Sequence, residues 1–147
     1  MPDVHISEEI AILNPYYQGI IDPYDEESIE NVWLVFELPQ AIIPSQPVLF
    51  STEEVIHVPE DCIANIYLRS TFARLGLVCP TTVADPGFEG TLTLEVFNAG
   101  LTPILIRPGD ALFHYIFTPQ IGEQPYQMSG RYQHQRGVTL PKALRKS

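Results

Sequence analysis

The sequence predicts an all-β fold, a distorted β-barrel or jelly roll with few short helical turns. Fourteen prolines and nine glycines are spread over 147 residues, which favours many short elements joined by turns over long helices. Several apolar segments with strand-like composition follow one another between these turns. The hydrophobic content of 45% is enough for one substantial core, so residues 1–147 are predicted to form a single domain.

The chain divides into an acidic N-terminal segment, a strand-rich middle and a polar C-terminal tail. In the N-terminal segment, residues 1–31, we interpret residues 7–10 as the start of a short helix and residues 25–27 as a solvated loop. The tail, residues 120–147, is predicted to be mobile. The predicted strands are 32–38, 48–51, 54–58, 63–68, 91–97, 104–106 and 111–118, with one helical turn at 70–75.

The alternation in residues 91–97 gives the clearest prediction of a strand with two different faces. Leu92, Leu94 and Val96 are predicted to face the core, and Glu95 to lie on the opposite face.

Charge is distributed very unevenly along the chain, whose formal net charge is −10. Residues 1–68 contain 13 acidic residues and no Lys or Arg, whereas residues 69–147 contain all eight basic residues and five acidic ones. Nucleic acids and anionic membranes both require a basic surface, so neither is predicted as a partner. A small anion held by a few arginines fits this distribution better.

The two cysteines and the N-terminus predict a cytoplasmic protein. Cys62 and Cys79 form no CxxC motif, so neither a disulfide scaffold nor a structural zinc site is expected. The first residues lack the basic and apolar regions of a signal peptide, and no apolar run is long enough to span a membrane.

Two polar clusters in the second half of the chain are candidates for ligand binding. Residues 69–74 combine two arginines with two hydroxyl side chains and could hold phosphate oxygens, although spacing alone favours a surface turn paired with acidic residues. Residues 85–90 form a Pro-Gly turn that could present Asp85 and Phe88 at a cavity mouth, but an ordinary hairpin is the simpler interpretation.

Two further features carry possible chemistry. Glu95 could act as a general acid and base beside an arginine, whereas its position alone favours a solvated strand face. Residues 130–137 are either a disordered tail or a flap over a ligand. No histidine lies in an H-x-E motif and P-C-x-x-C is absent, so the zinc-deaminase signature is missing.

Taken together, these segments resemble the dCTP deaminase branch of the dUTPase-like superfamily. The resemblance runs from about residue 58 to residue 144 and depends on four segments in the family's order. They are residues 69–77 (RSTFARLGL), 85–90 (DPGFEG) followed by 93–95 (TLE), 107–109 (RPG) and 132–141 (YQHQRGVTLP).

The resemblance implies a dUTPase-like barrel that assembles as a homotrimer with active sites shared between subunits. It also implies zinc-independent hydrolysis of dCTP to dUTP and ammonia. Glu95 matches the family's proton-shuttling glutamate, and Ser70 and Arg74 match residues that position the water and the glutamate.

The same resemblance assigns the nucleotide contacts. Asp85 matches an aspartate under the deoxyribose, and Phe88 matches an aromatic residue that packs on the sugar. Residues 75–84, ending at Ala84, match the hairpin that reads the base. The implied triphosphate contacts are Arg69, Thr71, Tyr126, Arg131 and Gln135, with Mg²⁺ held mainly by the nucleotide and no protein metal ligand.

Spacing leaves the substrate open. Ten residues separate Arg74 from Asp85, fewer than is typical of deaminases and closer to a dUTPase. The presence of Glu95 and of a deaminase-type tail favours deamination of dCTP. A bifunctional enzyme that releases dUMP, a dUTP diphosphatase and a non-catalytic nucleotide-binding or regulatory relative are the alternatives.

Overall fold

The computed structural model describes residues 2–121 and 132–145 and shows a mostly β architecture with two short helices. The helices are α1 (Glu26–Val32) and α2 (Ser70–Arg74). Neither helix in these ranges has the length and apolar character needed to cross a membrane. The strands are β1 (Asp3–Val4), β2 (Ile6–Leu13), β3 (Trp33–Glu37), β4 (Gln40–Ile42), β5 (Pro47–Thr52), β6 (Ile56–His57), β7 (Cys62–Leu68), β8 (Leu77–Val78), β9 (Thr82–Ala84), β10 (Glu89–Gly90), β11 (Thr93–Asn98), β12 (Ile104–Ile106) and β13 (Phe113–Pro119).

The strands pair as four antiparallel sheets. A five-stranded sheet has the order β3-β2-β5-β11-β8, and a four-stranded sheet has the order β1-β13-β7-β9. Two-stranded ladders join β10 to β6 and β12 to β4. The predicted mostly β fold with few helical turns is therefore confirmed, whereas the ladders of residues 2–121 and 132–145 do not close into one hydrogen-bonded barrel.

One core lies between the sheets, and β11 shows how the sequence determines it. Leu94 is fully buried and Val96 nearly so, whereas Glu95 between them is exposed, as the alternation predicts. The largest fully buried side chains come from several sheets and include Phe50, Ile66 and Phe113. Each buried ring or branched aliphatic side chain contributes about 2 kcal/mol through the apolar area it removes from water.

The prediction of a helix at residues 7–10 is wrong, because these residues lie within strand β2. β2 pairs with β3 along one edge and with β5 along the other, and a register shift separates its Ile6 and Ile10 pairings with β5. Backbone pairing on both edges therefore outweighs the local helix-start pattern.

The prediction of a solvated loop at residues 25–27 is also wrong, because α1 begins there. The Asp25 carboxylate accepts a hydrogen bond from the Glu27 N–H at 3.2 Å, which caps the helix. Glu26 and Glu27 suit the positive end of the helix dipole, and Ile29 and Val32 are buried. The acidic run therefore starts a helix instead of a loop.

Residues 75–84 do not form the expected hairpin in this chain. β8 pairs with β11 in the five-stranded sheet, while β9 pairs with β7 in the four-stranded sheet. The segment instead crosses from one sheet to the other, and α2 confirms the helical turn predicted just before it.

Candidate active site

A cavity of about 440 Å³ lies between the five-stranded sheet, the segment around residues 83–88 and the C-terminal tail. Its size is typical of a site for a small molecule. The lining residues are Trp33, Pro47, Val48, Leu49, Val83, Ala84, Asp85, Phe88, Leu92, Thr93, Glu95, Tyr132, Gln135, Thr139, Leu140 and Pro141.

Glu95 reaches this cavity because of its position on β11. It is aligned with Leu49 of β5, so the two side chains are neighbours on the same face of the sheet. Thr93 points to the same face two residues earlier, and the buried Leu94 points the other way. The strand thus presents one exposed carboxylate against an apolar wall.

The end of β9 and the tight turn that follows it contribute Ala84, Asp85 and Phe88 to the cavity lining. The Phe88 N–H donates to the Asp85 carbonyl oxygen at 3.1 Å, and Gly87 adopts a φ of 80° within the turn. The Phe88 side chain is only 3% exposed, whereas Asp85 is exposed. The turn therefore fixes a buried aromatic ring beside an accessible carboxylate.

The tail closes a third side of the cavity through Gln135. The Thr91 N–H donates to the Gln135 carbonyl oxygen at 3.0 Å, and Gln135 Nε2 donates to the Thr91 carbonyl oxygen at 2.8 Å. Gln135 Oε1 is buried and has no hydrogen-bond partner within residues 2–121 and 132–145. It is therefore an acceptor available to a ligand that carries a donor.

Gly90 permits this close approach of the tail. It has a φ of +156°, and a Cβ there would lie 2.9 Å from the Gln135 carbonyl oxygen. Any larger residue would collide with the docked backbone of the tail.

The predicted residues around α2 do not line the cavity of their own chain. Ser70, Thr71 and Arg74 are exposed on α2, and Arg74 has no carboxylate partner among the described residues. Arg69 is half-buried and contacts its own chain, with Nη1 donating to the Ala111 carbonyl oxygen at 3.1 Å and Nε lying 3.7 Å from Asp3 Oδ1.

The cavity thus unites five of the predicted site residues, which are Ala84, Asp85, Phe88, Glu95 and Gln135. It does not include Arg69, Ser70, Thr71 or Arg74. Tyr126 and Arg131 lie outside the described residues.

The described lining is electrostatically unsuited to a polyanion by itself. It contains the two carboxylates of Asp85 and Glu95 and, within the described residues, no Lys or Arg. Because a phosphate group is bound by cationic donors, a nucleotide in this cavity needs arginines from outside this lining.

Cys79 is a nearby titratable group that sequence reasoning left without a role at the site. Burial raises the pKa of its thiol to about 12, and the negative charge of Glu95 adds to the increase. The thiol therefore stays neutral at physiological pH and adds no further negative charge to those of Asp85 and Glu95.

Several lining residues were not predicted as site residues. Trp33 and Leu49 come from strands with no sequence signal for binding, and only sheet pairing places them in the cavity. Tyr132, Leu140 and Pro141 belong to the tail motif, so that motif was the signal that could have identified them.

Similar proteins were found among curated sequences. The chain is 41% identical over 144 residues to the dCTP deaminase of Pyrobaculum neutrophilum, which covers 97% of this chain and 80% of that relative. It is 40% identical over 144 residues to the dCTP deaminase of Metallosphaera sedula, covering 95% of this chain and 80% of the relative.

Solved structures show the same fold at low sequence identity. A 2′-deoxycytidine 5′-triphosphate deaminase from Agrobacterium tumefaciens matches with a TM-score of 0.61 at 17% identity, over 78% of this chain and 36% of that chain. The native EIAV dUTPase matches with a TM-score of 0.52 at 18% identity, over 78% of this chain and 92% of that chain. These neighbours support a dUTPase-like fold.

The family comparison agrees with the motifs and the fold. Residues 3–119 match the family described as dCTP deaminase-like. The resemblance predicted from residues 69–77, 85–90, 93–95, 107–109 and 132–141 is confirmed, and the chain belongs to the dCTP deaminase-like family.

Proposed function

We propose that this protein hydrolyses dCTP to dUTP and ammonia without zinc. The observation that carries the proposal is the cavity, which unites Glu95 with Asp85 and Phe88 beneath a docked tail. These are the side chains that the family resemblance assigns to proton transfer and to the sugar. Relatives named dCTP deaminase, about 40% identical over almost the whole chain, support the same activity.

Glu95 serves as the proton shuttle of this reaction. Its carboxylate takes a proton from the water that attacks C4 of the cytosine, and a C–O bond forms at C4. That proton passes to N3, and the hydroxyl proton of the tetrahedral intermediate then passes by way of Glu95 to the amino group. The C4–N bond breaks, and ammonia leaves as the C4 carbonyl of uracil forms. The apolar wall formed by Leu49, Val83 and Leu92 limits competing water in the cavity.

The sugar and the base occupy the walls around Phe88. The Phe88 ring packs on the deoxyribose and fills the space that a ribose 2′-hydroxyl would need, while Asp85 accepts from the sugar hydroxyl. Ala84 contacts the base, and the unpaired Gln135 Oε1 accepts from a donor on the nucleotide or its hydrated ion.

Subunits of a homotrimer complete the site. In this proposal Ser70 and Arg74 of one subunit enter the cavity of its neighbour, each subunit being a dUTPase-like barrel. The exposure of both side chains and the lack of a cation in the described lining support this arrangement.

The triphosphate enters as its Mg²⁺ complex, held by Arg69 and Thr71 together with Tyr126, Arg131 and Gln135 of the tail. No three His, Cys, Asp or Glu side chains gather into a possible metal site among residues 2–121 and 132–145. In this proposal phosphate oxygens and water carry the ion, as Mg²⁺ prefers. Two free cysteines suit the reducing cytoplasm in which we place the reaction.

Asp85 also supports a second candidate function, in which the enzyme continues to dUMP and pyrophosphate. An accessible aspartate in the cavity could activate water against the α-phosphate, as in a dUTPase. A pure dUTP diphosphatase and a non-catalytic regulatory relative are the remaining alternatives.

One assay separates these functions. The protein is incubated with dCTP or dUTP and Mg²⁺, and ammonia, pyrophosphate and nucleotides are measured. We expect ammonia and dUTP from dCTP. Ammonia with dUMP would indicate the bifunctional enzyme, dUMP from dUTP alone would indicate a diphosphatase, and nucleotide binding without any product would contradict all enzymatic alternatives.

Replacing Glu95 by Gln tests the assigned proton shuttle. The substitution removes the base, so the deamination rate is expected to fall by about a hundredfold or more while assembly is unchanged. Glu37→Gln is the matched control, since Glu37 is exposed on another strand of the same sheet and does not line the cavity. Deamination by Glu95→Gln at the wild-type rate would refute the assignment.

A further inference from the structure

The end of the C-terminal tail is held by the N-terminal segment of the same chain. The Leu144 N–H donates to the Pro23 carbonyl oxygen at 2.7 Å. The adjacent Ala143 N–H donates to the Glu26 carboxylate at 3.2 Å. Pro23 and Glu26 lie at the start of α1, and no residue of α1 lines the cavity. The end of the tail is therefore anchored outside the cavity.

A second carboxylate approaches the tail closer to the cavity. Glu9 of β2 accepts from the Val138 N–H at 3.4 Å. The preceding Gly137 has a φ of +68°, and a Cβ there would lie 2.8 Å from Glu9 Oε1. The tail therefore passes directly over the Glu9 carboxylate at a residue whose left-handed conformation favours glycine.

Between these two anchors the tail forms part of the cavity wall. The Thr139 N–H donates to Thr93 Oγ1 at 2.9 Å, and Thr139, Leu140 and Pro141 line the cavity. Trp33, which directly follows α1, lines the cavity with them. If the tail were released at Glu9 or at Glu26, residues 139–141 would therefore no longer be held in the wall of the cavity that contains Glu95.

The charges of the two segments are complementary. Residues 132–145 contain Arg136, Lys142 and Arg145 and no acidic residue, whereas residues 1–31 contain eight acidic residues and no Lys or Arg. Opposite charges of this kind favour docking at low ionic strength and are screened by salt.

We propose that Glu26 and Glu9 are positioning residues that hold the C-terminal tail closed over the cavity. They accept hydrogen bonds from tail backbone N–H groups and act on the reaction only through the tail. The inference rests on the proposed function for its kinetic consequence, while the docking itself requires no catalysis. It also gives the acidic N-terminal segment a specific role.

The docking is tested by amide hydrogen exchange of residues 138–144 in the full chain without nucleotide. Glu26→Ala removes the carboxylate that accepts from the Ala143 N–H. We expect the exchange protection of the Ala143 and Leu144 amides to fall by about tenfold. Glu27→Ala is the matched control, because Glu27 lies in the same first turn of α1 and its exposed carboxylate makes no described contact with the tail. Equal protection in the two variants would overturn the proposed docking.

Glu9 is tested in the same way against Glu8→Ala, because Glu8 is the neighbouring acidic residue of β2 and its exposed side chain makes no described contact with the tail. Glu9→Ala is expected to reduce protection of Val138, and both anchors are expected to weaken as salt is raised. Protection at Val138 that matches the Glu8→Ala control would overturn the role of Glu9.

Kinetics then test whether docking serves the reaction. Glu26→Ala is expected to raise KM for dCTP by about tenfold with a smaller change in kcat, and Glu26→Gln, which keeps an acceptor oxygen, should restore most of the loss. Reduced amide protection of the tail in Glu26→Ala with an unchanged KM would overturn the positioning role. If the tail amides of the wild-type protein are protected but the protein does not deaminate dCTP, the proposed function is contradicted and the docking remains supported.

Discussion

At the scale of single residues, Cys79 shows how burial determines chemical behaviour beside the proposed proton shuttle. Its thiol has a pKa raised to about 12, first by burial and then by the charge of Glu95. A thiolate in this place would repel the Glu95 carboxylate and compete for protons. Burial therefore keeps this sulfur atom neutral within the electrostatic influence of Glu95.

Cys79 is predicted to react very slowly with thiol reagents. In a Cys62→Ser background, labelling by iodoacetamide between pH 7 and 9 should be roughly a thousandfold slower than for a thiol with an ordinary pKa, because so little thiolate is present. The labelling rate should still be increasing at pH 10. A rate that has levelled off by pH 10 would show that the thiol has an ordinary pKa.

Combining this variant with Glu95→Gln provides a second measurement. Removing the nearby negative charge should lower the pKa of Cys79, although burial will still keep it above the usual value. Labelling at fixed pH should therefore become faster, and an unchanged labelling rate would mean that Glu95 does not affect the thiol.

At the scale of elements, Asn98 connects the end of β11 to two neighbouring segments through side-chain hydrogen bonds. Its side chain is fully buried, and Nδ2 donates to the carbonyl oxygens of Ile42 at 2.8 Å and Thr102 at 2.9 Å. Its Oδ1 accepts from the Gly100 N–H at 2.9 Å. One amide thus joins β11, β4 and the turn that leads to β12.

Asn98→Ala is predicted to lower the free energy of unfolding by about 3 kcal/mol, because three hydrogen bonds are lost and buried backbone groups remain unpaired. Chemical denaturation measures the change. Asn31→Ala is the control, since Asn31 is exposed on α1 and should change stability by less than about 0.5 kcal/mol. Equal effects from the two substitutions would contradict this role for Asn98.

At the scale of the whole molecule, the separation of Arg74 from the cavity makes assembly testable. Arg74 and Ser70 are exposed on α2, whereas Glu95 lies in the cavity of the same chain. If these groups meet between the subunits of a homotrimer, three chains of 16.5 kDa should sediment together as a species of about 50 kDa.

Two inactive variants should restore activity to each other in mixed trimers. Glu95→Gln and Arg74→Gln chains, refolded together in equal amounts, should regain about a quarter of wild-type deamination. With random mixing, about a quarter of the sites between subunits receive an intact Glu95 from one chain and an intact Arg74 from its neighbour. Each variant refolded alone is the control. No activity in trimers shown to be mixed would mean that one chain supplies both groups.

The sequence by itself determined the mostly β character, the core-facing side of β11 and the family. Alternation in residues 91–97 is a local property, and the family motifs are short segments, so neither depends on distant contacts. Local patterns gave the wrong element at residues 7–10 and 25–27, because pairing on both edges of β2 and a capping carboxylate decided those elements.

Only the tertiary structure decided which residues meet. Sheet pairing aligned Glu95 with Leu49, placed Trp33 in the same cavity, and sent β8 and β9 to different sheets. It also brought Glu9 and Glu26 against a tail more than a hundred residues away in sequence. The acidic first half and the basic second half were visible as composition, but their contact was not, since docking depends on long-range geometry that no local segment encodes.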